Sequence, residues 1–226
     1  MYKIDKNFNR LLNGHYTYFL NPIDVMEIKG KLKGMNYKIY SPTKDAEKVI
    51  FYNKKEPEFC LYEIESFNKL KHQEILGSLF ALNIDESLFG DIIIDNGHYY
   101  VFIMEQIEQF FISEFTKVGN NGIKLKKLDK DYLKDYERKY EELEFIVSSL
   151  RIDTIISRIV KSNRDFTKEK MKDREILLNY EYLKNDSYKL KEGDIFSIRK
   201  FGKYKFIKVT NTTKKDNYVV LIHKYI

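Results

Sequence analysis

The sequence has little cysteine or proline and no long apolar run, and each shortage excludes a class of protein. Cys60 is the single cysteine among 226 residues, so we expect no disulfide framework and a reducing, cytoplasmic setting. The longest uncharged apolar run, Tyr99 to Met104, is far shorter than the ~20 residues that a membrane-spanning helix needs. Because charges are scattered through Met1 to Leu12, we expect no signal peptide and no membrane partner.

Signatures of catalysis are scarce as well. No glycine-rich loop follows a strand in the way that a methyltransferase needs in order to admit its cofactor. The four histidines are widely spaced and belong to no carboxylate or cysteine cluster at metal-ligand spacing. We therefore expect a protein that is not an enzyme and that needs neither a metal nor another cofactor.

The charge that is present is distributed unevenly. Residues 148–226 contain 19 of the 40 basic residues but only 10 of the 34 acidic ones, which gives this end a net charge of about +9. The remaining 147 residues are slightly acidic, at about −3, although the whole chain is at +6. A strongly basic end on a slightly acidic body is typical of proteins that bind a polyanion, most often a nucleic acid.

Hydrophobic patterning predicts an α+β protein with three parts. Residues 1–58 form a small N-terminal α/β segment, with a helix around Lys6 to Leu12, a second helix that Asn21 caps, and a strand at Val49 to Tyr52. Pro22 at the first position and Gly34 near the end mark the bounds of the second helix.

Residues 59–147 follow the order strand, helix, strand, strand, helix, strand, which predicts a central ferredoxin/RRM-like domain. The predicted elements are Phe59 to Ile64, Asn68 to Leu82, Asp91 to Ile94, Tyr99 to Met104, Glu105 to Val118 and Gly122 to Leu128, with a further strand at Tyr136 to Val147. Asp95-Asn96-Gly97 between the two middle strands predicts a tight hairpin turn, because Asn-Gly accepts positive φ angles.

Residues 148–226 form the third, basic part. On a helix that starts at Ser149, isoleucines at three- and four-residue spacing make one apolar stripe. The opposite face carries Arg151, Thr154, Arg158 and Lys161, while Asp153 either orients the basic side chains or caps the first turn. The set predicted to face phosphates consists of Arg151, Arg158, Lys161, Arg164, Lys168 and Lys172.

A hairpin between Ile195–Ile198 and Tyr204–Val209 adds further basic residues near its turn. Arg199, Lys200 and Lys203 crowd that turn, and Gly202 lets it close. Phe201 and Tyr204 could stack on an unpaired base, although packing on the core is the simpler interpretation for Tyr204.

The third part resembles an S4 RNA-binding domain. The matching pattern runs from Arg151-x-Asp153 through the Arg164 turn and a strand ending in Asn179 to the Gly193-Asp194 turn, and it implies that Asn179 joins the RNA-binding set. The chain departs from the family with Asn163 directly before the arginine and with Arg174 where the family favours glycine. Three earlier segments resemble the remainder of the YlmH-type S4 proteins: FLNP (19–22), FNKLKHQEILGSLFALNI (67–84) and FGDIIID (89–95).

This resemblance implies a bacterial RNA-binding protein that acts on ribosomal RNA or tRNA of the large ribosomal subunit, in quality control of stalled translation. We expect a monomer. Two alternatives stay open: an RNA-modifying enzyme with an unrecognised active site, and a protein-interaction factor in cell division that uses the acidic N-terminal two-thirds.

Overall fold

The computed structural model describes residues 2–226 and shows an α+β protein made of two compact units. The first unit ends at Glu137 and the second is Arg138–Ile226. Among the described residues, no helix is long and apolar enough to cross a membrane.

The first unit begins with two helices and a small two-stranded sheet. These elements are α1 (Tyr2–Leu12), α2 (Pro22–Lys31), β1 (Lys38–Tyr40) and β2 (Ile50–Tyr52). The predicted N-cap is confirmed: the Asn21 side chain accepts a hydrogen bond from the Asp24 backbone N–H at 2.9 Å, and the Asp24 carboxylate accepts one from the Asn21 N–H. Because this reciprocal pair satisfies two helix donors, it fixes the start of α2.

A five-stranded antiparallel sheet and two helices form most of the rest of the first unit. Its elements are β3 (Phe59–Ser66), α3 (His72–Ala81), β4 (Phe89–Asp95), β5 (His98–Met104), α4 (Glu108–Glu114), β6 (Lys117–Val118) and β7 (Asn121–Leu128), with 3₁₀ turns at Glu86–Leu88 and Glu105–Ile107. The strand order is β4-β5-β3-β7-β6. The predicted hairpin turn is present, since Asn96 and Gly97 take φ angles of 50° and 85°. The second helix of the predicted pattern is shorter than expected, because the chain leaves the helix after Glu114 to form β6.

Both faces of this sheet are covered. Ile75 and Leu79 of α3, with Phe111 of α4, pack on one face. Side chains of the N-terminal segment, among them Tyr16 and Phe19, pack on the other face. Residues 2–58 therefore complete the core of the first unit instead of forming a separate body.

The second unit contains a six-stranded antiparallel sheet and two short helices. Its elements are β8 (Tyr140–Val147), α5 (Ile152–Ile159), α6 (Arg164–Lys172), β9 (Ile176–Leu178), β10 (Glu181–Tyr182), β11 (Ile195–Ile198), β12 (Gly202–Thr212) and β13 (Tyr218–Tyr225). The strand order is β10-β9-β11-β12-β13-β8. Ile152, Ile155 and Ile156 of α5 pack on Phe196 and Phe206 of the sheet.

The unit boundary lies before β8, whereas the sequence suggests a boundary after Val147. β8 pairs with β13 along its whole length, from Tyr140 opposite Tyr225 to Val147 opposite Tyr218. Pairing between strands so far apart in sequence leaves no local signal. The sequence pattern alone therefore assigns this strand to the end of the central domain.

Candidate nucleic-acid interface

An ion pair between Arg151 and Asp153 organises the start of α5. The guanidinium donates from Nε to Oδ1 at 3.1 Å and from Nη2 to Oδ2 at 2.6 Å, and Thr154 donates to the same carboxylate at 3.1 Å. Burial of Asp153 acts to raise its pKa, but these hydrogen bonds outweigh burial and lower the pKa. Asp153 therefore stays ionised and holds Arg151 in one orientation, with the remaining guanidinium N–H groups available to an anion.

The predicted basic row along α5 is wrong in its geometry. The helix begins at Ile152, three residues later than expected, so Arg151 is the N-cap residue. Thr154 is buried, and Lys161 lies beyond the helix with a φ of 54°. Arg158 is thus the one predicted basic residue that lies within α5 itself, where it is exposed.

A basic row does exist on α6. Arg164, Lys168 and Lys172 are exposed and follow one another at four-residue spacing, so they share one side of the helix. Lys168 lies 3.5 Å from the exposed Asp165, a weak contact in water. Arg164 and Lys172 form no ion pair with any residue between positions 2 and 226, so their charges are not neutralised within the described chain.

The turn between β11 and β12 lies against α6. The rings of Phe166 and Phe201 meet edge to face with centroids 5.5 Å apart. Glu175 links the same two elements, because its carboxylate contacts Lys170 at 2.7 Å and Arg199 at 3.5 Å. The hydrogen bond from Lys170 is the main cause of the lowered pKa of Glu175. Phe166 and Glu175 therefore fix the turn to α6, on the side of the helix away from Arg164, Lys168 and Lys172, because Phe166 and Lys170 lie two positions out of step with that row.

We use the name α6–turn surface for the exposed residues of these two adjoining elements, and define it by Arg164, Lys168, Lys172, Arg199, Lys200 and Phe201. Lys200 is exposed and takes a φ of 70°, which directs the chain through the turn. Phe201 remains 40% exposed despite its contact with Phe166. The surface combines several cations with one accessible aromatic ring.

The structure places Asn179 and Lys203 elsewhere. The Asn179 amide donates to Asp194 at 2.8 Å and accepts from the Ile195 N–H at 2.9 Å, so it fixes the turn before β11. Lys203 alternates with the core residue Tyr204 and so points to the sheet face opposite the helices. Its ammonium lies 4.6 Å from the centre of the Tyr180 ring.

The first-unit motifs that carry the family resemblance meet at one packing junction. Phe19 of FLNP donates its backbone N–H to Ser87 at 3.0 Å, and its ring lies against Gly90 of FGDIIID. Asp91 accepts the Glu47 N–H at 2.7 Å. These motifs therefore join the N-terminal segment to the sheet.

Cys60 is not a reactive thiol. Burial, together with a hydrogen bond to Glu108, raises its pKa to about 11. Hydrogen bonds from Lys127 and Tyr62 lower the pKa of Glu108 to about 2, so the thiol faces a carboxylate that stays ionised. This arrangement keeps the thiol protonated.

The fold and the α6–turn surface define an α+β protein of two units whose second unit presents clustered cations suited to a polyanion. Comparison with known proteins shows which family such a protein resembles. Residues 54–132 match the family model described as "Putative RNA-binding domain in YlmH". The chain is 26% identical over 176 residues to "Ribosome-associated protein quality control protein P2" of Bacillus subtilis (strain 168), a match that covers 74% of this chain and 68% of the relative.

These two findings confirm the resemblance that the motifs indicate: the chain is similar to the YlmH-type proteins. A solved structure, "Cell division protein ylmH from Streptococcus pneumoniae", matches with a TM-score of 0.47 and 24% identity, over 59% of this chain and 91% of that one.

The family match points to a part of the chain that the distribution of charge did not indicate. It lies in the first unit, whereas every residue of the predicted RNA-binding set lies in the second. The slightly acidic composition of residues 1–147 gave no reason to look for a polyanion site there.

Proposed function

We propose that this chain is a non-catalytic RNA-binding protein that docks on ribosomal RNA or tRNA of the large ribosomal subunit. Its second unit acts as an S4-like RNA-binding domain, and its first unit has the ferredoxin-like strand order. The observation that carries the proposal is the α6–turn surface, where two adjoining chain segments of one small unit expose five cations and the ring of Phe201.

The geometry suits structured RNA in three respects. Exposed arginine and lysine side chains contact phosphates, and each contact is favoured by release of condensed counterions. Arg151 is held in place by Asp153 before any ligand arrives, so less side-chain entropy is lost on binding. Phe201 offers a ring face or edge for an unpaired base.

The biological setting of the proposal comes from the relative. The B. subtilis protein is named for ribosome-associated quality control, and it shares 26% identity with this chain. By analogy we place this protein, as a cytoplasmic monomer, on ribosomes whose translation has stalled.

Ribosome co-sedimentation tests the proposal. The double substitution Arg164→Ala with Lys168→Ala removes two charges from the α6–turn surface, and we expect at least a tenfold loss of binding to large subunits. The matched control is Lys214→Ala with Lys215→Ala, which removes the same charge from the exposed β12–β13 turn and should bind nearly as the wild type does. All four positions are exposed, so circular dichroism should show an intact fold in both variants.

Two results decide the outcome. Binding that falls in the Arg164/Lys168 variant but not in the control supports docking through this surface. Equal binding by both variants and the wild type would refute docking through this surface. Loss of two phosphate contacts should also reduce the slope of log affinity against log salt by about 1.4 to 1.8.

A further inference from the structure

Phe67 is the most exposed large apolar side chain of the described residues. Its relative exposure is 102%, as high as in an extended peptide, and it lies in the loop between β3 and α3. Other surface phenylalanines of the first unit, such as Phe80 and Phe110, are less than half exposed. Because the Phe67 ring buries no apolar area within the described chain, both of its faces are accessible to a ligand.

The loop that carries Phe67 is anchored on both sides. Leu70 is 2% exposed, and its N–H donates to the Tyr99 hydroxyl at 2.8 Å. The Asn68 side chain donates to Asn121 of β7 at 2.7 Å. Because these neighbours are fixed to the sheet, the Phe67 ring is presented to solvent by an ordered loop.

The charges around Phe67 favour an anionic ligand. Lys69 and Lys71 are exposed, and neither forms an ion pair with any residue from position 2 to position 226. The acidic side chains nearest in sequence are Glu65, which lies opposite Lys124 of β7 in the strand register, and Glu74, which accepts the Lys71 backbone N–H at 2.9 Å. The Glu74 carboxylate thus has an N–H partner within the chain, whereas the two lysine ammonium groups of the loop have no ion-pair partner among the described residues.

We infer that Phe67 is a stacking platform for an unpaired RNA base and that Lys69 and Lys71 contact the phosphates beside that base. An aromatic ring followed in the same loop by two lysines suits single-stranded nucleic acid, since every base has a π face and every nucleotide a phosphate. The inference rests on the proposed RNA-binding function but concerns a different unit from the α6–turn surface. A protein partner fits less well, because the loop has no second exposed apolar residue with which to build a buried patch.

The test uses the full chain and a short fluorescein-labelled oligouridylate, followed by fluorescence anisotropy at fixed salt. We expect Phe67→Ala to weaken binding by about 5- to 150-fold, the range for loss of one base–aromatic stack. Phe67→Trp should retain binding. The matched control is Phe110→Ala, which removes a surface ring from α4, where the neighbouring charges are Glu108 and Glu114.

The lysines are tested separately through salt dependence. Lys69→Ala with Lys71→Ala should reduce the slope of log affinity against log salt by about 1.4, as expected for two contacts to a single strand. Because all these side chains are exposed, unfolding temperatures should match that of the wild type.

The outcomes separate this inference from the proposed function. If the wild type binds large subunits but not oligouridylate, or if Phe67→Ala and Phe110→Ala bind oligouridylate equally, the inference is overturned and the proposed function stands. If Phe67→Ala weakens only ribosome binding while oligouridylate binding is unchanged, the loop contacts the ribosome without stacking on an unpaired base, and the inference is again overturned. Loss of oligouridylate binding in Phe67→Ala alone supports it, even if the Arg164/Lys168 variant still binds ribosomes.

Discussion

Gly90→Ala should destabilise the first unit strongly although it adds only one methyl group. A Cβ at position 90 would lie 2.9 Å from the Phe102 Cβ and 2.9 Å from Cε1 of Phe19. The Phe102 Cβ is attached directly to the backbone of β5, so it cannot rotate away. The φ of Gly90 is outside the left-handed region, so the cost comes from the close approach and not from backbone strain.

The magnitude follows from the packing. Overpacking a well-packed core typically costs 1–3 kcal/mol, and two simultaneous contacts with fully buried residues place this case near the upper limit, at about 3 kcal/mol. For a unit of this size, that loss lowers the unfolding temperature by roughly 10 °C. Thermal unfolding followed by circular dichroism measures the change, and amide hydrogen exchange of peptides from β4 and β5 assigns it to the first unit.

Gly77→Ala is the matched control. Gly77 lies in the middle of α3, and nothing is within 4 Å of the position that its Cβ would take. Alanine there should stabilise the helix by about 0.5–1 kcal/mol. An unfolding temperature of Gly90→Ala equal to that of the wild type, with unchanged exchange in β4, would falsify the claim that Phe19 packs directly on the glycine.

Two further predictions concern stability. Arg174 follows the C-cap residue of α6 and has a φ of 55°, so Arg174→Gly should relieve about 1 kcal/mol of backbone strain and raise the unfolding temperature of the second unit. The lost contact with the Tyr182 ring offsets part of this gain, and a lower unfolding temperature would contradict the prediction. Glu108 has a pKa lowered to about 2 by hydrogen bonds from Lys127 and Tyr62, so its contribution of about 1–2 kcal/mol is complete above pH 4.5 and is lost as the pH falls towards 2. The difference in unfolding temperature between the wild type and Glu108→Gln should therefore shrink over that interval, and a difference that is constant with pH would refute the assignment.

Local signals in the sequence predicted much of the fold. The α+β class, the capped start of α2 and the Asn96-Gly97 turn were predicted correctly, because each depends on residues within a few positions of one another. The start of α5 was wrong by three residues, since Ser149 resembles a cap while Arg151 occupies that position. The placement of β8 was missed because only its partner β13, about 78 positions later, decides it.

The candidate interface was predictable in composition but not in arrangement. Lys168 and Lys172 share a side of α6 as their spacing predicts, while Arg164, which we expected in the preceding turn, is the first residue of that helix. The junction of α6 with the β11–β12 turn depends on Phe166, Phe201 and Glu175, whose tertiary contacts have no periodic signature. The RNA-binding roles of these residues stay predictions, which the co-sedimentation experiment tests.

The Phe67 loop shows why net charge is a poor guide to where a polyanion binds. Residues 1–147 carry about −3, yet Lys69 and Lys71 form no ion pair with described residues beside an exposed ring. At physiological ionic strength the Debye length is about 8 Å, so a phosphate at this loop is affected chiefly by the adjacent charges and little by acidic residues elsewhere on the unit. A slightly acidic domain can therefore contain a site for RNA, provided that its few cations lie together beside an aromatic ring.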